Sequence, residues 1–327
     1  MKIIELGENP RENGRKLGRA FYAYLNAVND EYASKLDNTK IYEDVRRGRL
    51  LLEKEMPELA EELYGKAETS GLRYEAILLM AMPEILRKTS GCTTIIKKNP
   101  NGTISFSHNE DEGSLEFRAD NTALLKYRLK DKTVYGYTNA CKTIGSCFGF
   151  RSDGLLISCN NLMSDEVAED CLSRYLLSAK LYFSDSYEDA VNIVINMKTA
   201  SSFHVNLLDT VKHRACSIEK DIDSYTLTEL DDVLVHSNHF LHKKGKTDAD
   251  SLFRYHKVCE LLKETDDLKA ILSYTSSEPD QTIRFTDPKR TGRPMTVANM
   301  TFDPEAGMVI IRDENDGSEQ AFPSLRR

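Results

Sequence analysis

The chain has 327 residues, 40% hydrophobic and 29% charged, a balance typical of a water-soluble globular protein. Its formal net charge of −8 argues against general nucleic-acid binding, which needs concentrated lysine and arginine to replace phosphate counterions. No apolar stretch approaches the roughly 20 residues that cross a bilayer. The first residues lack the apolar core of a secretory signal, so we expect a cytosolic protein without a membrane partner.

The first 91 residues are predicted to be mainly helical. Apolar residues recur at helical spacing over 17–28 and 56–63, and Pro57 is expected to begin a helix. A third apolar patch, 77–86, is interrupted by a proline, and the pattern breaks at 89–91.

The sequence changes character at Cys92, where strands are predicted to begin. Residues 93–96 are β-branched, the Asn-Pro-Asn-Gly at 99–102 is a turn signal, and 103–107 alternate in polarity. Together these segments predict a β-hairpin.

Beyond the hairpin, runs of strands and runs of helices follow one another rather than alternating singly. This order predicts antiparallel sheets covered by helices, not parallel β-α-β units. The predicted strands are 122–130, 133–138, 154–159, 201–208, 214–219, 294–302 and 307–312, and the predicted helices are 167–183, 187–198 and 249–262.

The seven cysteines are scattered and odd in number, and none forms a CxxC pair that would suggest structural zinc. Most are expected to be small buried hydrophobes in a reducing compartment. Cys92 differs because it follows a glycine at the start of a predicted strand. Gly91 can adopt strained backbone geometry and leaves its carbonyl open to attack by the next thiol. Self-cleavage there would release an N-terminal cysteine whose α-amine can accept the thiol proton. By itself the Gly-Cys pair is a weak signal and favours a core cysteine after a turn.

Neighbouring motifs distinguish these alternatives. The segments SGCTT (90–94), NPNG (99–102) and HNED (108–111) resemble the isopenicillin-N acyltransferase family of cysteine N-terminal-nucleophile (Ntn) hydrolases. The resemblance implies that Cys92 is the nucleophile and that the bond between Gly91 and Cys92 is cut. Asp111 matches the aspartate that orients the cysteine and its new amine.

A second group of motifs implies the remaining site residues. GSCFGF (145–150) and GLLISCNNL (154–162) look like the family's glycine-rich strand pair, which makes Asn160 the oxyanion donor and Asn161 its close competitor. Segments 201–209, 218–219, 236–241 and 250–255 are similar to further family motifs. They add Asn238, Ser251 and Arg254 as supporting or substrate-contacting residues, together with His108 and Asn109 of the hairpin.

Some of these residues also have structural interpretations. Ser251 could cap the helix that follows it, and Arg254 could face solvent or form an ion pair. An Asn pair after a strand, such as 160–161, is also typical of a turn. The chain departs from the family at Glu112, where an aromatic residue usually walls the substrate pocket, and this puts a penicillin-type or bile-salt substrate in doubt.

The resemblance implies an α+β fold, the four-layer αββα Ntn-hydrolase sandwich with antiparallel sheets. It implies a helical segment, 1–91, and a catalytic segment, 92–327, that stay associated as one compact domain after cleavage. The expected reaction is cleavage of a linear amide by acyl transfer through a thioester at Cys92. The expected partners are a small amide and an acyl donor, with no cofactor and no metal.

Three alternatives remain at this point. One is a bile-salt or penicillin V acylase-like hydrolase, against which the 91 residues before Cys92 argue. Another is a binding or scaffold protein that kept the fold without catalysis. The third is a metal hydrolase built on His236, His239 and His242, for which the neighbouring sequence offers no clear completing ligand.

Overall fold

The computed structural model describes residues 1–86, 91–113, 121–164, 167–278, 281–286 and 294–324. Two β-sheets face each other, and helices cover the outer face of each. This is the four-layer αββα arrangement, so the predicted α+β fold is confirmed. No helix in these described ranges is long and apolar enough to span a membrane.

Helices cover both outer faces. The bounds are α1 (Pro10–Ala20), α2 (Tyr22–Lys35), α3 (Thr39–Glu55), α4 (Pro57–Ser70), α5 (Tyr74–Ala81), a 3-10 helix (Pro83–Leu86), α6 (Arg174–Tyr182), α7 (Tyr187–Asn196), α8 (Ala249–Leu261) and α9 (Leu268–Leu272). The prediction that a helix begins at Pro57 is confirmed by α4. Proline suits this position because the N–H groups of the first helical turn have no partner within the helix, so the missing N–H of proline costs no hydrogen bond.

Among the described residues, the first sheet has eight strands. In their order across the sheet, they are β1 (Ile3–Leu6), β4 (Thr122–Arg128), β5 (Thr133–Asn139), β6 (Phe148–Arg151), β7 (Leu155–Asn161), β8 (Phe203–Asp209), β9 (Arg214–Lys220) and β10 (Tyr225–Glu229). Its pairs are antiparallel except that β1 lies parallel to β4 at the edge.

The second sheet has six strands within the described ranges, and all of the pairs seen there are antiparallel. In their order across the sheet, they are β11 (Val233–His236), β2 (Gly91–Lys98), β3 (Ile104–Gly113), β12 (Pro294–Asp303), β13 (Met308–Asp313) and β14 (Glu319–Pro323). The predicted hairpin is β2–β3.

Three hydrophobic clusters hold the layers together. The inter-sheet cluster joins Ile96 and Phe106 of the second sheet to Phe148 and Leu156 of the first. A larger cluster packs α1–α7 against the outer face of the eight-stranded sheet, and a smaller one packs α8 and α9 over Ile95. Because side chains alternate along a strand, even-numbered residues of β2 face the inter-sheet layer and odd-numbered ones face α8 and α9.

The register of the β2–β3 hairpin is set by a three-residue loop. Asn99 and Thr103 close the loop through the hydrogen bond from Asn99 N to Thr103 O, at 2.8 Å. Gly102 lies between them with φ +83°, a left-handed conformation that glycine adopts without steric cost. This register places Cys92 directly opposite Glu110 and Gly91 opposite Asp111.

Helices α1 and α4 approach each other unusually closely through glycines. A Cβ atom on Gly14 would lie 1.8 Å from the backbone oxygen of Glu62, and one on Gly65 would lie 2.1 Å from that of Arg11. The two backbones therefore touch without intervening side chains.

Some predicted elements were wrong or missing. The helix predicted over 167–183 begins only at Arg174, because the Ser173 side chain caps it by accepting a hydrogen bond from Tyr175 N and Leu172 instead pairs with Thr199. Sequence analysis did not predict β1, β10, β11, β14 or α9, all of them five residues or shorter.

Candidate active site

Cys92 is the second residue of β2, and its side chain points into the inter-sheet layer. The residue is 1% exposed. Its thiol donates to Oε2 of Glu110, on the adjacent strand, with a sulfur–oxygen distance of 3.4 Å. A carboxylate that can accept a proton therefore touches the thiol.

The backbone of Cys92 is held by two side chains from outside the hairpin. Its N–H donates to Oδ1 of Asn238 at 2.9 Å, and its carbonyl accepts from Nη1 of Arg254 at 2.6 Å. Arg254 also donates through Nη2 to the same Asn238 oxygen at 2.7 Å. The amide of Asn238 is oriented because its Nδ2 donates to the Asn161 carbonyl at 3.0 Å. Asn238 thus positions the N–H on the amino side of Cys92, and Arg254 holds both the carbonyl on its carboxyl side and the Asn238 oxygen.

Asp111 lies on the opposite face of the sheet from the Cys92 thiol. Its Oδ1 accepts from the Thr296 hydroxyl at 2.6 Å, and its Oδ2 lies 3.9 Å from Arg254 Nη1. A Cβ on Gly91 would lie 3.4 Å from that Oδ2, so the carboxylate is beside the residue that precedes Cys92. Burial raises the pKa of Asp111 to about 7, against the lowering effects of Arg254 and Thr296.

Asn160 belongs to a hydrogen-bond chain that ends at His108. The Nδ2 of Asn160 donates to the Ser237 carbonyl at 3.1 Å, and its Oδ1 accepts from the Thr94 hydroxyl at 3.0 Å. Thr94 in turn contacts Nδ1 of His108 at 2.8 Å, and Nε2 of His108 lies 3.3 Å from Oε2 of Glu110. In this state both polar ends of Asn160 are engaged away from the Cys92 sulfur, and its role as oxyanion donor stays a prediction.

The other two asparagines have supporting contacts. Asn161 accepts from the Tyr175 hydroxyl at 3.0 Å through its side chain, and its backbone carbonyl orients Asn238. Asn109 faces the outer helices, where its Nδ2 donates to the Leu272 carbonyl at 2.8 Å. Neither side chain reaches the thiol through these contacts.

The structural interpretations of Ser251 and solvent-facing Arg254 were wrong. Asp248 caps α8, while Ser251 is buried and its hydroxyl accepts from Asn238 N at 2.9 Å. Arg254 is 2% exposed and pairs with Asp250 at 3.1 Å, which leaves the ion-pair alternative.

The three histidines considered for a metal have separate partners. His236 Nε2 lies 3.0 Å from Glu219, His239 Nδ1 lies 2.8 Å from Ser251 Oγ, and His242 Nε2 lies 3.3 Å from Thr228 Oγ1. They form no common ligand cluster in the part of the chain that the structure describes.

The surroundings of Cys92 keep its thiol protonated. Burial raises the thiol pKa well above its usual range, and the carboxylates of Glu110 and Asp111 raise it further. Glu112, two residues beyond Glu110 on the same strand, is buried and ion-paired with Lys142, whose pKa burial lowers. Where the family usually has an aromatic wall, this chain therefore has a buried charge pair.

Sequence analysis missed Glu110 and Thr94. Both lie on the same face of the hairpin as Cys92 and His108. They could have been identified from the alternation of side chains along each strand if the register of the hairpin had been known. The structure brings Cys92, Asn238, Arg254 and His108 into one network, with Asp111 beside Gly91 and Asn160 joined to His108 through Thr94.

Residues 97–317 match a family model described as "Acyl-coenzyme A:6-aminopenicillanic acid acyl-transferase", and the match begins just after Cys92. Among curated proteins, none matches this sequence significantly.

Several solved structures are similar to this one. The Caenorhabditis elegans N-acylethanolamine-hydrolyzing acid amidase ortholog is 18% identical with a TM-score of 0.47, covering 71% of this chain and 100% of its own. A conjugated bile acid hydrolase variant from Clostridium perfringens is 13% identical with a TM-score of 0.46, covering 71% and 92%. Penicillin V acylase from Agrobacterium tumefaciens is 9% identical with a TM-score of 0.46, covering 71% and 86%.

The family match extends from the β2–β3 hairpin through β13, across both sheets and the residues that surround Cys92. The chain therefore belongs to the acyl-coenzyme A:6-aminopenicillanic acid acyl-transferase family.

Proposed function

We propose that the chain cuts its own bond between Gly91 and Cys92 and then uses Cys92 to cleave a linear amide through a thioester. This proposal is supported chiefly by two contacts of Cys92, one of its thiol and one of its backbone N–H. The Cys92 thiol touches a carboxylate, and its N–H is held by Asn238. Nucleophile, proton acceptor and leaving nitrogen are thereby oriented together.

In the self-cleavage step, the thiol proton passes to Glu110 and Sγ attacks the Gly91 carbonyl carbon. The bond from that carbon to the Cys92 nitrogen then breaks, and the nitrogen takes up a proton to become an amine. Water hydrolyses the resulting thioester, which leaves a carboxylate on Gly91 and a free thiol on Cys92. Asp111, beside Gly91, suits the position of a group that would hold the new α-ammonium.

In the amide reaction, the new α-amine would accept the thiol proton as Sγ attacks the substrate carbonyl. The departing amine takes that proton, and water or a second amine removes the acyl group from sulfur. Asn160 is proposed as the oxyanion donor, which requires its amide to turn from the Ser237 carbonyl toward the thiol. Asn161 is the alternative donor.

We propose a small linear amide as substrate, such as an N-acyl amino acid or a β-alanyl-amine. The buried pair of Glu112 and Lys142 supports a polar neighbourhood near the site rather than an aromatic one. The description of the family names an acyl transferase, which supports a reaction that passes through an acyl group held on the protein.

The test is intact-mass spectrometry of purified wild-type protein beside Cys92→Ala. We expect two wild-type fragments that meet between residues 91 and 92, and one uncut chain for the variant. Cys171→Ala serves as the matched control, because this half-exposed cysteine lies outside the network, and it should be cut like the wild type. A folded wild-type chain that stays whole would refute self-cleavage. Cut protein would then be screened against the two amide classes, with Cys92→Ala as the blank.

A further inference from the structure

We propose that Cys92, His108 and Glu110 form a binding site for a borderline-soft divalent cation, Zn²⁺ in particular, which would block the nucleophile reversibly. Their potential ligand atoms lie within 4.8 Å of one another, and no other group of three or more such residues is found across the described ranges. The three side chains are at most 1% exposed. This inference is independent of whether the chain cuts itself.

Two of the three distances between the ligand atoms fit a tetrahedral ion. With Zn–S of about 2.3 Å and Zn–N and Zn–O of about 2.0 Å, tetrahedral geometry gives S···O and N···O separations of about 3.5 and 3.3 Å. The observed separations are 3.4 Å from Cys92 Sγ to Glu110 Oε2 and 3.3 Å from His108 Nε2 to the same oxygen. The remaining separation, between the Cys92 and His108 ligand atoms, is at most 4.8 Å. Bringing it to the roughly 3.5 Å of a tetrahedral ion therefore needs a side-chain movement of no more than about 1.3 Å.

The hydrogen-bond chain fixes the tautomer of His108 that a metal requires. The Ser237 carbonyl can only accept, so Nδ2 of Asn160 must face it and Oδ1 must face Thr94. The Thr94 hydroxyl donates to that oxygen and so receives its hydrogen bond from Nδ1–H of His108. The Nε2 of neutral His108 then carries a lone pair directed at Glu110. A hydrogen-bonded partner on the other ring nitrogen is what orients ligating histidines in metal sites.

With this tautomer, two hydrogen-bond acceptors, His108 Nε2 and Glu110 Oε2, face each other. A lone pair on His108 Nε2 and the carboxylate of Glu110 repel unless a positive charge lies between them. Oε1 of Glu110 is buried and has no hydrogen-bond partner among the described residues. A proton can satisfy one contact, whereas a divalent cation satisfies the imidazole, the carboxylate and a Cys92 thiolate together. Cys147 also interacts with Glu110, so its thiol or a water could take the fourth position.

The experiment titrates the full wild-type chain with Co²⁺, a spectroscopic substitute for Zn²⁺, and then displaces it with Zn²⁺. We expect one Co²⁺ per chain, with a thiolate-to-metal absorption band that disappears when Zn²⁺ displaces the Co²⁺. Cys92→Ala and His108→Ala should abolish the band. Thr94→Val keeps all three ligands but loses the orienting hydroxyl, so its affinity should fall by about 10-fold or more.

Cys171→Ser is the matched control, since it removes an accessible thiol outside the cluster and should bind Co²⁺ like the wild type. Absence of the band in the wild type, a band that Zn²⁺ does not displace, or loss of binding in Cys171→Ser would each overturn the site. Self-cleavage is scored separately by intact mass, so a chain that cuts itself but binds no metal rejects only this inference.

Discussion

At the scale of single residues, Glu62 shows how burial of one carboxyl group links stability to pH. It lies in α4, 5% exposed, and both of its oxygens accept from the Tyr127 hydroxyl at 2.9 Å. Burial raises its pKa from 4.5 to about 7, while Tyr127 and Lys66 act in the opposite direction. Because the folded state holds this proton more tightly than the unfolded state, the associated stability is complete below pH 4.5 and is lost as pH rises through 7.

We therefore expect the free energy of unfolding of the wild type to fall by about 2 kcal/mol relative to Glu62→Gln between pH 5 and pH 7. Urea denaturation at the two pH values measures the difference. Glu58→Gln, an exposed change in the same helix, should follow the wild type at both pH values. If the free energies of unfolding of Glu62→Gln and the wild type changed equally between pH 5 and pH 7, Glu62 would not be the source of the pH dependence.

The residues around Cys92 show what a sequence can and cannot predict at this scale. Cys92, Asn238 and Arg254 were identified through motifs, and the structure joins them by direct hydrogen bonds. Glu110 was missed because its place depends on the loop of the hairpin. A two- or four-residue loop would put another residue opposite Cys92, and a shift of one position reverses the face of every side chain. The left-handed Gly102 decides the register, and that conformation is not visible in composition or periodicity.

At the scale of secondary-structure elements, the contact of α1 with α4 depends on glycine. In Gly65→Ala the new methyl group would lie 2.1 Å from the Arg11 backbone oxygen, and a backbone cannot yield as a flexible side chain can. We expect the variant to lose about 1–3 kcal/mol of unfolding free energy through overpacking. Gly7→Ala, which meets no atom within 4 Å, is the matched control and should differ little from the wild type. Equal urea midpoints for the two variants would contradict the close approach.

Long elements were better predicted than short ones. Amphipathic spacing indicated the N-terminal helices, and alternation with good turn residues indicated the β2–β3 hairpin. The four-residue β1 and the five-residue β10 and β14 have too few residues for a periodic signal. Strand β1 is held by pairing with the distant β4, whereas β10 and β14 pair with β9 and β13, the strands just before them. The helix was predicted to begin at 167 because apolar residues there recur at helical spacing. In the structure, the Ser173 side chain caps the helix, which begins only at Arg174.

At the scale of the whole molecule, the segments on either side of Cys92 share one core. Residues before the proposed cut supply β1, at the edge of the eight-stranded sheet, and helices α1–α5 over its outer face. We expect the cut protein to migrate in native gel filtration as one species that contains both fragments, at the elution volume of uncut Cys92→Ala. The fragments should separate only in denaturant, because dissociation exposes the shared apolar surface. A free helical fragment in native buffer would contradict this expectation.

The parallel pairing of β1 with β4 has a kinetic consequence. Everything between these strands, including the bond before Cys92, forms the connection that keeps β1 near its partner. An intact chain finds this pairing by closing a loop within one molecule, at a rate independent of concentration. Once the connection is broken, recovery from unfolding becomes an encounter between two molecules and slows on dilution. We therefore expect the uncut chain to fold readily, whereas the two cleaved fragments would refold together only slowly after denaturation.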